Sequence, residues 1–337
     1  MHLFSEKSRG AVVEKWRCLI VNPFTRIMKN FIISAGLLLV VILSCQKEPA
    51  ASHSSMLMAG MKGSKGSEIV CVNIDSNAVI RKTPVESYVL SSTVLDPRTN
   101  AYGYMNADTV FILTSPETGK VIKSFRLPGY LSLAVVDSAE NTLIGIYTVV
   151  TYGPSKAQTK SVRTGAPVYT NHLIRVSIPE GNILSDNVVD LGEGVYISTY
   201  YYLQDERKYV LYGADGNLLF FNPSSGELLQ KVYLGKILNN SVYIKDKNLL
   251  VSLDYSAAEQ KNYITVIEPS SGSVLGRNAA DAQDGFVSNI SGYDPETDCY
   301  ITVNSNYMVL FYDISTGSVT RTYKLENPMN DIKFWRR

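Results

Sequence analysis

Apolar residues in this chain come in short runs separated by tight polar turns, and one such unit occurs six times. Each unit consists of an apolar run, a turn that contains Gly or Asn, and a second apolar run. Gly and Asn adopt a positive φ at low cost, as the tight turn of a β-hairpin requires. The six turn residues are Asn77, Gly119, Gly181, Gly226, Gly272 and Gly317.

The spacing of these turns predicts the architecture. Successive turn residues are 42, 62, 45, 46 and 45 positions apart. A repeat of roughly 45 residues in a strand-rich chain is typical of a β-propeller, in which each repeat forms one four-stranded blade. A blade cannot bury both faces alone, so the blades stack in a ring. We therefore predict an all-β fold, a single propeller of six four-stranded blades, with seven blades as the alternative.

Two irregularities refine this prediction. The first unit lacks a local fourth strand, whereas the segment Asn330 to Arg337 is a spare strand at the carboxyl end. We predict that this strand pairs in the first blade and closes the ring. The 62-residue step reflects an insertion, Thr151 to Pro167, between the second and third strands of the third blade.

The amino end carries an export pattern. Fourteen apolar or small residues, Phe31 to Ser44, follow Lys29 and run directly into Cys45. This length suits the apolar region of a signal peptide better than a membrane-spanning helix, which needs about 20 residues. Residues 42–45 resemble the bacterial lipobox, which implies that Cys45 is lipidated and becomes the mature amino terminus. The alternative is an uncleaved anchor helix.

This pattern divides the chain into three parts. Residues 1–44 are interpreted as an upstream extension plus a lipoprotein signal peptide, with Met28 as a candidate for the true start. Residues 45–55 are predicted to be a lipidated tether, and residues 56–337 to form the propeller. The predicted location is the outer membrane, with the lipid anchor holding the protein on the periplasmic or the cell-surface side.

Composition limits the range of partners. Residues 1–44 hold six of the 32 Lys and Arg and two of the 31 Asp and Glu, which leaves 26 basic and 29 acidic residues. This balance argues against nucleic acid as a partner, because phosphate binding needs clustered cations. Cys71 and Cys299 both lie in apolar strand patterns. We predict two buried thiols, with a disulfide as the alternative.

The sequence contains few groups for catalysis or metal binding. Beyond residue 44 there are two histidines, His53 and His172, and no HExxH, CxxC, GxSxG or Walker motif. We therefore predict no catalytic residue, no cofactor and no metal site. The alternative is a metal site built by carboxylates that precede innermost strands, as in some propeller hydrolases. The candidates are Glu86, Glu193, Asp284 and Asp331.

Aromatic residues recur where the chain begins four of the innermost strands, and two more border the insertion. In a propeller these positions share one face. Rings around a funnel suit a flat or amphipathic ligand, since they offer a large rigid contact area with a polar tip. The alternative is that the rings pack between blades. The predicted ligand-binding residues are Tyr88, Tyr130, Tyr152, Tyr169, Tyr196 and Phe286.

The repeat resembles the YVTN type of propeller, which occurs in exported and cell-surface bacterial proteins. The segments VCVNIDSNAVI (70–80) and ITVIEPSSGSVL (264–275) come closest to that unit. The related quinoprotein pattern places Trp four residues after the turn Gly, where this chain has Lys123, Gln230, Gly276 and Arg321. The resemblance therefore does not extend to a pyrroloquinoline quinone dehydrogenase.

The predicted function is that of a non-catalytic envelope lipoprotein whose propeller binds a small molecule or an envelope protein partner. By resemblance to lipoprotein propellers of gut Bacteroidota, one role is surface capture for a TonB-dependent uptake system. The alternatives are a lactonase-like, metal-assisted hydrolase and an envelope assembly scaffold.

Overall fold

The structure is a computed structural model. It describes residues 55–62, 68–89, 91–152, 167–192, 197–213, 215–235, 238, 240–282 and 287–337. The predicted signal peptide and the lipidation residue Cys45 lie outside these residues. The described part contains one 3-10 turn, Lys245–Lys247. None of its helices is long and apolar enough to span a membrane.

The fold is all-β and consists of six four-stranded antiparallel sheets, so the prediction of six blades is confirmed. Blade 1 combines the last strand with the first three in the order β24-β1-β2-β3, and blades 2 to 6 follow in sequence. The strands of blades 1 to 3 are β1 (Met56–Lys62), β2 (Glu68–Asn73), β3 (Ala78–Pro84), β4 (Val94–Asp96), β5 (Ala101–Met105), β6 (Val110–Thr114), β7 (Val121–Arg126), β8 (Ser132–Asp137), β9 (Thr142–Tyr152), β10 (Pro167–Ser177), β11 (Ile183–Val189) and, completing blade 1, β24 (Met329–Arg336).

Blades 4 to 6 repeat the same meander. Their strands are β12 (Ile197–Leu203), β13 (Lys208–Gly213), β14 (Asn217–Phe221), β15 (Leu228–Tyr233), β16 (Val242–Ile244), β17 (Leu249–Ser256), β18 (Lys261–Ile267), β19 (Val274–Ala279), β20 (Val287–Asp294), β21 (Cys299–Asn304), β22 (Met308–Asp313) and β23 (Val319–Lys324). The innermost strands contact one another in ring order, β4 to β8, β12, β16, β20 and β24.

The repeated turns have the predicted geometry. All six turn residues have positive φ, from 55° at Asn77 to 77° at Gly317. At the later turns the glycine also permits a close approach to the preceding blade. A Cβ atom at Gly272 would lie 1.9 Å from Leu234, and one at Gly317 would lie 2.2 Å from the backbone oxygen of Ala279. Both the backbone conformation and blade stacking therefore favour Gly.

The apolar residues form a separate core between each pair of neighbouring blades. The core between blades 1 and 6 contains Met58 and Phe311, for example, and that between blades 4 and 5 contains Tyr201 and Leu250. Because each blade buries apolar side chains against the next blade, the stability of each blade depends on contacts with its neighbours.

The carboxyl strand closes the ring as predicted. β24 pairs with β1 from Met56↔Arg336 to Lys62↔Met329. The Arg336 guanidinium reaches across to blade 6, where Nε and Nη2 donate to the two Asp294 oxygens at 2.8 and 2.5 Å. The side chain of Arg336 is 13% exposed and that of Asp294 is 1% exposed. A buried bidentate ion pair therefore joins the last strand to the neighbouring blade.

The two cysteines of the propeller are free and buried. Burial raises the pKa of the Cys71 thiol to about 12, while Arg337 lowers it slightly. The prediction of two buried thiols is confirmed. At neutral pH Cys71 carries a protonated thiol, which is unreactive because the thiolate is the nucleophilic form.

Candidate functional site: the central cavity

The candidate site is a cavity of about 380 Å³ in the central channel, which we call the central cavity. It is lined by residues at or just before the innermost strands of all six blades. The antiparallel order places these starting points at the same end of the ring as the turns between second and third strands. We call this end the top face.

A ring of left-handed residues marks the wall of the central cavity. Ser91, Leu133, Asn240 and Asp331 have φ of 61°, 53°, 53° and 53° and all line the cavity. In β8 the left-handed residue lies within a break in pairing between Ser132 and Val135. Non-glycine residues rarely adopt this conformation, and strained positions of this kind cluster at ligand and active sites.

Three buried tyrosines hold this ring in place. Tyr102 Oη donates to the Asp331 carbonyl at 2.8 Å, and Tyr209 Oη donates to the Leu133 carbonyl at 2.6 Å. Tyr300 Oη donates to the Asn240 carbonyl in the same way. Each tyrosine belongs to an even-numbered blade and binds the left-handed residue of the preceding odd-numbered blade.

The tyrosines occupy one repeated position, the second residue of the second strand. In blades 2, 4 and 6 this residue is Tyr, whereas blades 1, 3 and 5 have Leu57, Leu143 and Leu250. All six side chains are buried. The ring thus alternates between a hydrogen-bonding and an apolar side chain, which gives the cavity wall an approximate threefold pattern. Sequence analysis missed this pattern, although Tyr recurs six residues after both Asp96 and Asp294.

Among the described residues that line the cavity, one is acidic and one is basic, and both lie on β24. Burial raises the pKa of Asp331, an effect that nearby Lys333 partly opposes. One Asp331 oxygen accepts a hydrogen bond from the backbone nitrogen of Ser91 at 3.2 Å, which links blades 1 and 2. Among the predicted metal-binding carboxylates, Asp331 therefore lies in the cavity wall, and Glu193 and Asp284 lie outside the described residues.

Three polar atoms of the wall find no hydrogen-bond partner among the described residues. They are Thr199 Oγ1, Asn240 Oδ1 and Ser241 Oγ. Thr199 is 4% exposed and Asn240 is 7% exposed. A buried polar group without a partner costs roughly 1–3 kcal/mol, and all three atoms are closed off from the space of the cavity.

The predicted ligand-binding aromatics occupy different places. Tyr88 is half-buried in the core between blades 1 and 2, and its pKa is raised by burial and by Asp331. Tyr130 is 52% exposed, and its hydroxyl donates to the Ala107 carbonyl at 2.8 Å. Tyr196 and Phe286 lie outside the described residues. Tyr88 is thus electrostatically coupled to Asp331 in the cavity wall.

Tyr152 and Tyr169 lie on a hairpin formed by the ends of β9 and β10. Pairing continues outward to Tyr152↔Pro167, and Tyr152 and Tyr169 are 47% and 64% exposed. Tyr169 lines a second, more open cavity of about 860 Å³ between this hairpin and β11. These two residues therefore border a surface of blade 3 and do not line the central cavity.

His172 also lies on blade 3. Its Nδ1 is 2.9 Å from an oxygen of Asp186, whose other oxygen accepts a hydrogen bond from Tyr147 at 2.7 Å. The rings of His172 and Tyr147 stack with centroids 4.7 Å apart. The described residues contain no group of three or more His, Cys, Asp or Glu side chains that could hold a metal ion. Glu86, the remaining metal candidate, raises the pKa of Tyr104 after the larger effect of burial.

The comparisons define the fold and no further relationship. No protein-family model and no curated protein matches the chain. The structure is similar to the crystal structure of a protein of unknown function from Bacteroides caccae. The TM-score is 0.56 at 12% sequence identity, and the match covers 83% of this chain and 98% of the other. At this identity the likeness shows the shared fold alone.

Proposed function

We propose that the propeller binds a small molecule in the central cavity without converting it. The observation that carries the proposal is the central cavity itself, whose wall is formed by the innermost strands of all six blades and includes backbone that buried tyrosines hold in a left-handed conformation. A volume of about 380 Å³ lies within the range of small-molecule sites, about 300–1,000 Å³. The tyrosine-held backbone supplies a rigid, preorganised wall.

A binding role suits the chemistry of this wall better than catalysis. The only histidine of the described residues, His172, lies on the third strand of blade 3 and is paired with Asp186. The hydrolase alternative would depend on Asp331, the acidic residue of the described cavity wall, whose pKa is raised by burial. Asp331→Asn separates the two functions, because it would abolish hydrolysis of any substrate and leave binding of a neutral ligand measurable.

We further propose that the propeller is a lipoprotein of the outer membrane with its anchor at Cys45, and that it captures a ligand for a TonB-dependent uptake system. The apolar segment Phe31 to Ser44 and its lipobox-like end support the anchor. The repeat pattern supports assignment to the YVTN type. An envelope scaffold is the alternative, and its partner would be an envelope protein.

Thermal shift of the full-length chain, purified in detergent, tests the binding function. The probes are a panel of sugars, amino acids, nucleotides and carboxylic acids. A ligand at 100 times its Kd stabilises a protein by about 2.7 kcal/mol, a readily measured shift. We expect at least one compound to raise the melting temperature of the parent.

Matched variants locate the binding site. Asn240→Leu and Thr199→Val should lose the shift, whereas Thr322→Val, on the exposed outer strand of blade 6, should keep it. The proposal fails if no compound stabilises the protein, or if the cavity variants respond like the parent.

A further inference from the structure

We infer that blade 3 binds an extended peptide of a partner protein, which adds a strand to the free edge of β10. This inference goes beyond the small-molecule function of the central cavity and concerns a different surface. It follows from the point at which pairing in blade 3 ends, from the side chains found there and from the cavity beside this edge. We call residues 149–152 and 167–170, which pair with each other, the blade 3 ribbon.

The ribbon extends beyond the outer strand of its own blade. β11 pairs with β10 from Val176↔Ile183 to Asn171↔Val189 and ends there. β10 extends further through residues 167–170, which pair with β9 on one side. Among the described residues, no strand pairs with the other side of this segment. Its N–H and C=O groups, apart from the missing N–H of Pro167, are a template to which an extended chain can add a strand.

The ribbon differs from the outer strands of the propeller in having no charged side chain. Its two segments read VVTY and PVYT, and Val168 and Tyr169 are 55% and 64% exposed. Proteins protect exposed sheet edges with charged residues, because an uncharged, apolar edge readily pairs with another chain. An edge without this protection indicates that a partner covers it. Each outer strand carries at least one charged residue, for example Arg81, Lys123, Asp186, Lys231, Arg277 and Arg321.

The second cavity provides the space for the added strand. It measures about 860 Å³ and lies along the free edge, between residues 167–170 and the end of β11. Val188, Val189 and Leu191 contribute apolar wall, and Asp190 is the charged residue among the described lining residues. Side chains of an extended peptide alternate in direction, so every second one faces this wall. We therefore expect apolar residues at alternate positions of the peptide and a Lys or Arg beside Asp190.

A second copy of the chain suits this edge less well than a peptide does. Two copies related by a two-fold axis would pair residues 167–170 with one another, over about 13 Å of strand. A stable dimer buries about 800 Å² of each partner, which a ladder of this length does not supply. A peptide pairs with the same edge and also fills the cavity, so its contacts extend beyond the ladder.

Phage display of short random peptides against the full-length chain in detergent tests this inference. The selected peptides are synthesised with a fluorescent label, and their binding is measured by fluorescence anisotropy. Val168→Lys and Tyr169→Lys should each weaken binding at least about tenfold, because a lysine on the edge blocks strand pairing. The matched controls are Val121→Lys and Tyr255→Lys, at positions that are 54% and 60% exposed, and both should bind like the parent. Since all four positions are exposed, every variant should fold, which circular dichroism verifies.

N-methylated peptides distinguish strand addition from docking by side chains alone. In an added strand every second N–H points toward β10, so N-methylation should abolish binding at alternate residues and be tolerated between them. The inference is overturned if no peptide is selected, if the edge variants bind like their controls, or if N-methylation is tolerated throughout. A dimer of the parent that Val168→Lys dissociates, measured by light scattering, would also overturn it and assign the edge to a second copy. None of these results decides whether a small molecule binds in the central cavity, which the thermal-shift panel tests separately.

Discussion

The ion pair between the last strand and blade 6 gives a sharp prediction about ring closure. Arg336→Met keeps most of the apolar stem of the side chain and removes the guanidinium that contacts Asp294, Glu296 and Asp75. Asp294 is 1% exposed, so its carboxylate would lose its partner while remaining buried. Removal of one partner from a buried pair typically costs about 3–5 kcal/mol.

The structure places this variant near the lower end of that range. Asp294 retains hydrogen bonds from the Glu296 nitrogen at 3.1 Å and the Thr297 hydroxyl at 2.7 Å, which partly compensate the charge. We expect a loss of about 3 kcal/mol, which corresponds to a fall in melting temperature of roughly 6–12 °C for a domain of this size. Urea unfolding followed by circular dichroism gives the free energy, and differential scanning calorimetry gives the temperature.

Two further variants make this prediction refutable. Lys247→Met removes an exposed ion pair with Asp298, with side chains 40% and 52% exposed, and should cost less than about 1 kcal/mol. The double variant Arg336→Met/Asp294→Asn should be no less stable than Arg336→Met, because the buried charge is gone. The reasoning is wrong if Arg336→Met behaves like Lys247→Met, or if the two substitutions destabilise additively.

Three other predictions follow from named contacts. Tyr209→Phe removes the hydrogen bond to the Leu133 carbonyl and should lower the free energy of unfolding in urea by about 1 kcal/mol. Tyr233→Phe, on an exposed strand, should leave it unchanged. Equal stability of the two variants would refute the role of Tyr209. Burial acts against the charged form of Glu268, but hydrogen bonds from Ser270 and Ser271 outweigh it and lower its pKa to about 2. The pKa of Glu268 in the folded protein lies below its ordinary value of 4.5, so this stabilisation is present above about pH 4.5 and is lost as the pH falls toward 2. Glu268→Gln should therefore be less stable than the parent at pH 7 and approach the parent's stability as the pH falls toward 2. A stability difference that stays constant with pH would contradict this. Cys45→Ala should remove lipid labelling in bacterial cells and release the protein from membranes or leave it unprocessed, and unchanged labelling would refute acylation at this residue.

Local sequence patterns were enough to predict the ring. The turn glycines are recognisable because their φ is a property of a few neighbouring residues, and the spare strand at 330–337 followed from counting strands per blade. The sequence pattern predicts an insertion that begins at Thr151, and it does not predict the unusually long pairing of β9 with β10. Pairing continues there between Thr151 and Val168.

The candidate site was less accessible to sequence reasoning. The sequence pattern predicts Asp331 as a candidate metal ligand, and it does not predict a role for Thr199. The positive φ at Leu133 has no local cause in its sequence. The carbonyl of Leu133 accepts a hydrogen bond from Tyr209, which is 76 positions away in the sequence and lies on the next blade. Sites of this kind arise from contacts between repeats, which periodicity within one repeat does not reveal.

Methyl NMR of isoleucine-labelled protein tests the central claim most directly. Ile197, Ile290 and Ile332 line the central cavity, whereas Ile80 and Ile183 lie on outer strands and are 40% and 47% exposed. Each compound that stabilises the protein should shift the methyl signals of the first three residues and leave those of Ile80 and Ile183 unchanged. Shifts at Ile183 or Ile80 with unchanged signals from Ile197, Ile290 and Ile332 would place the ligand outside the channel and contradict the account.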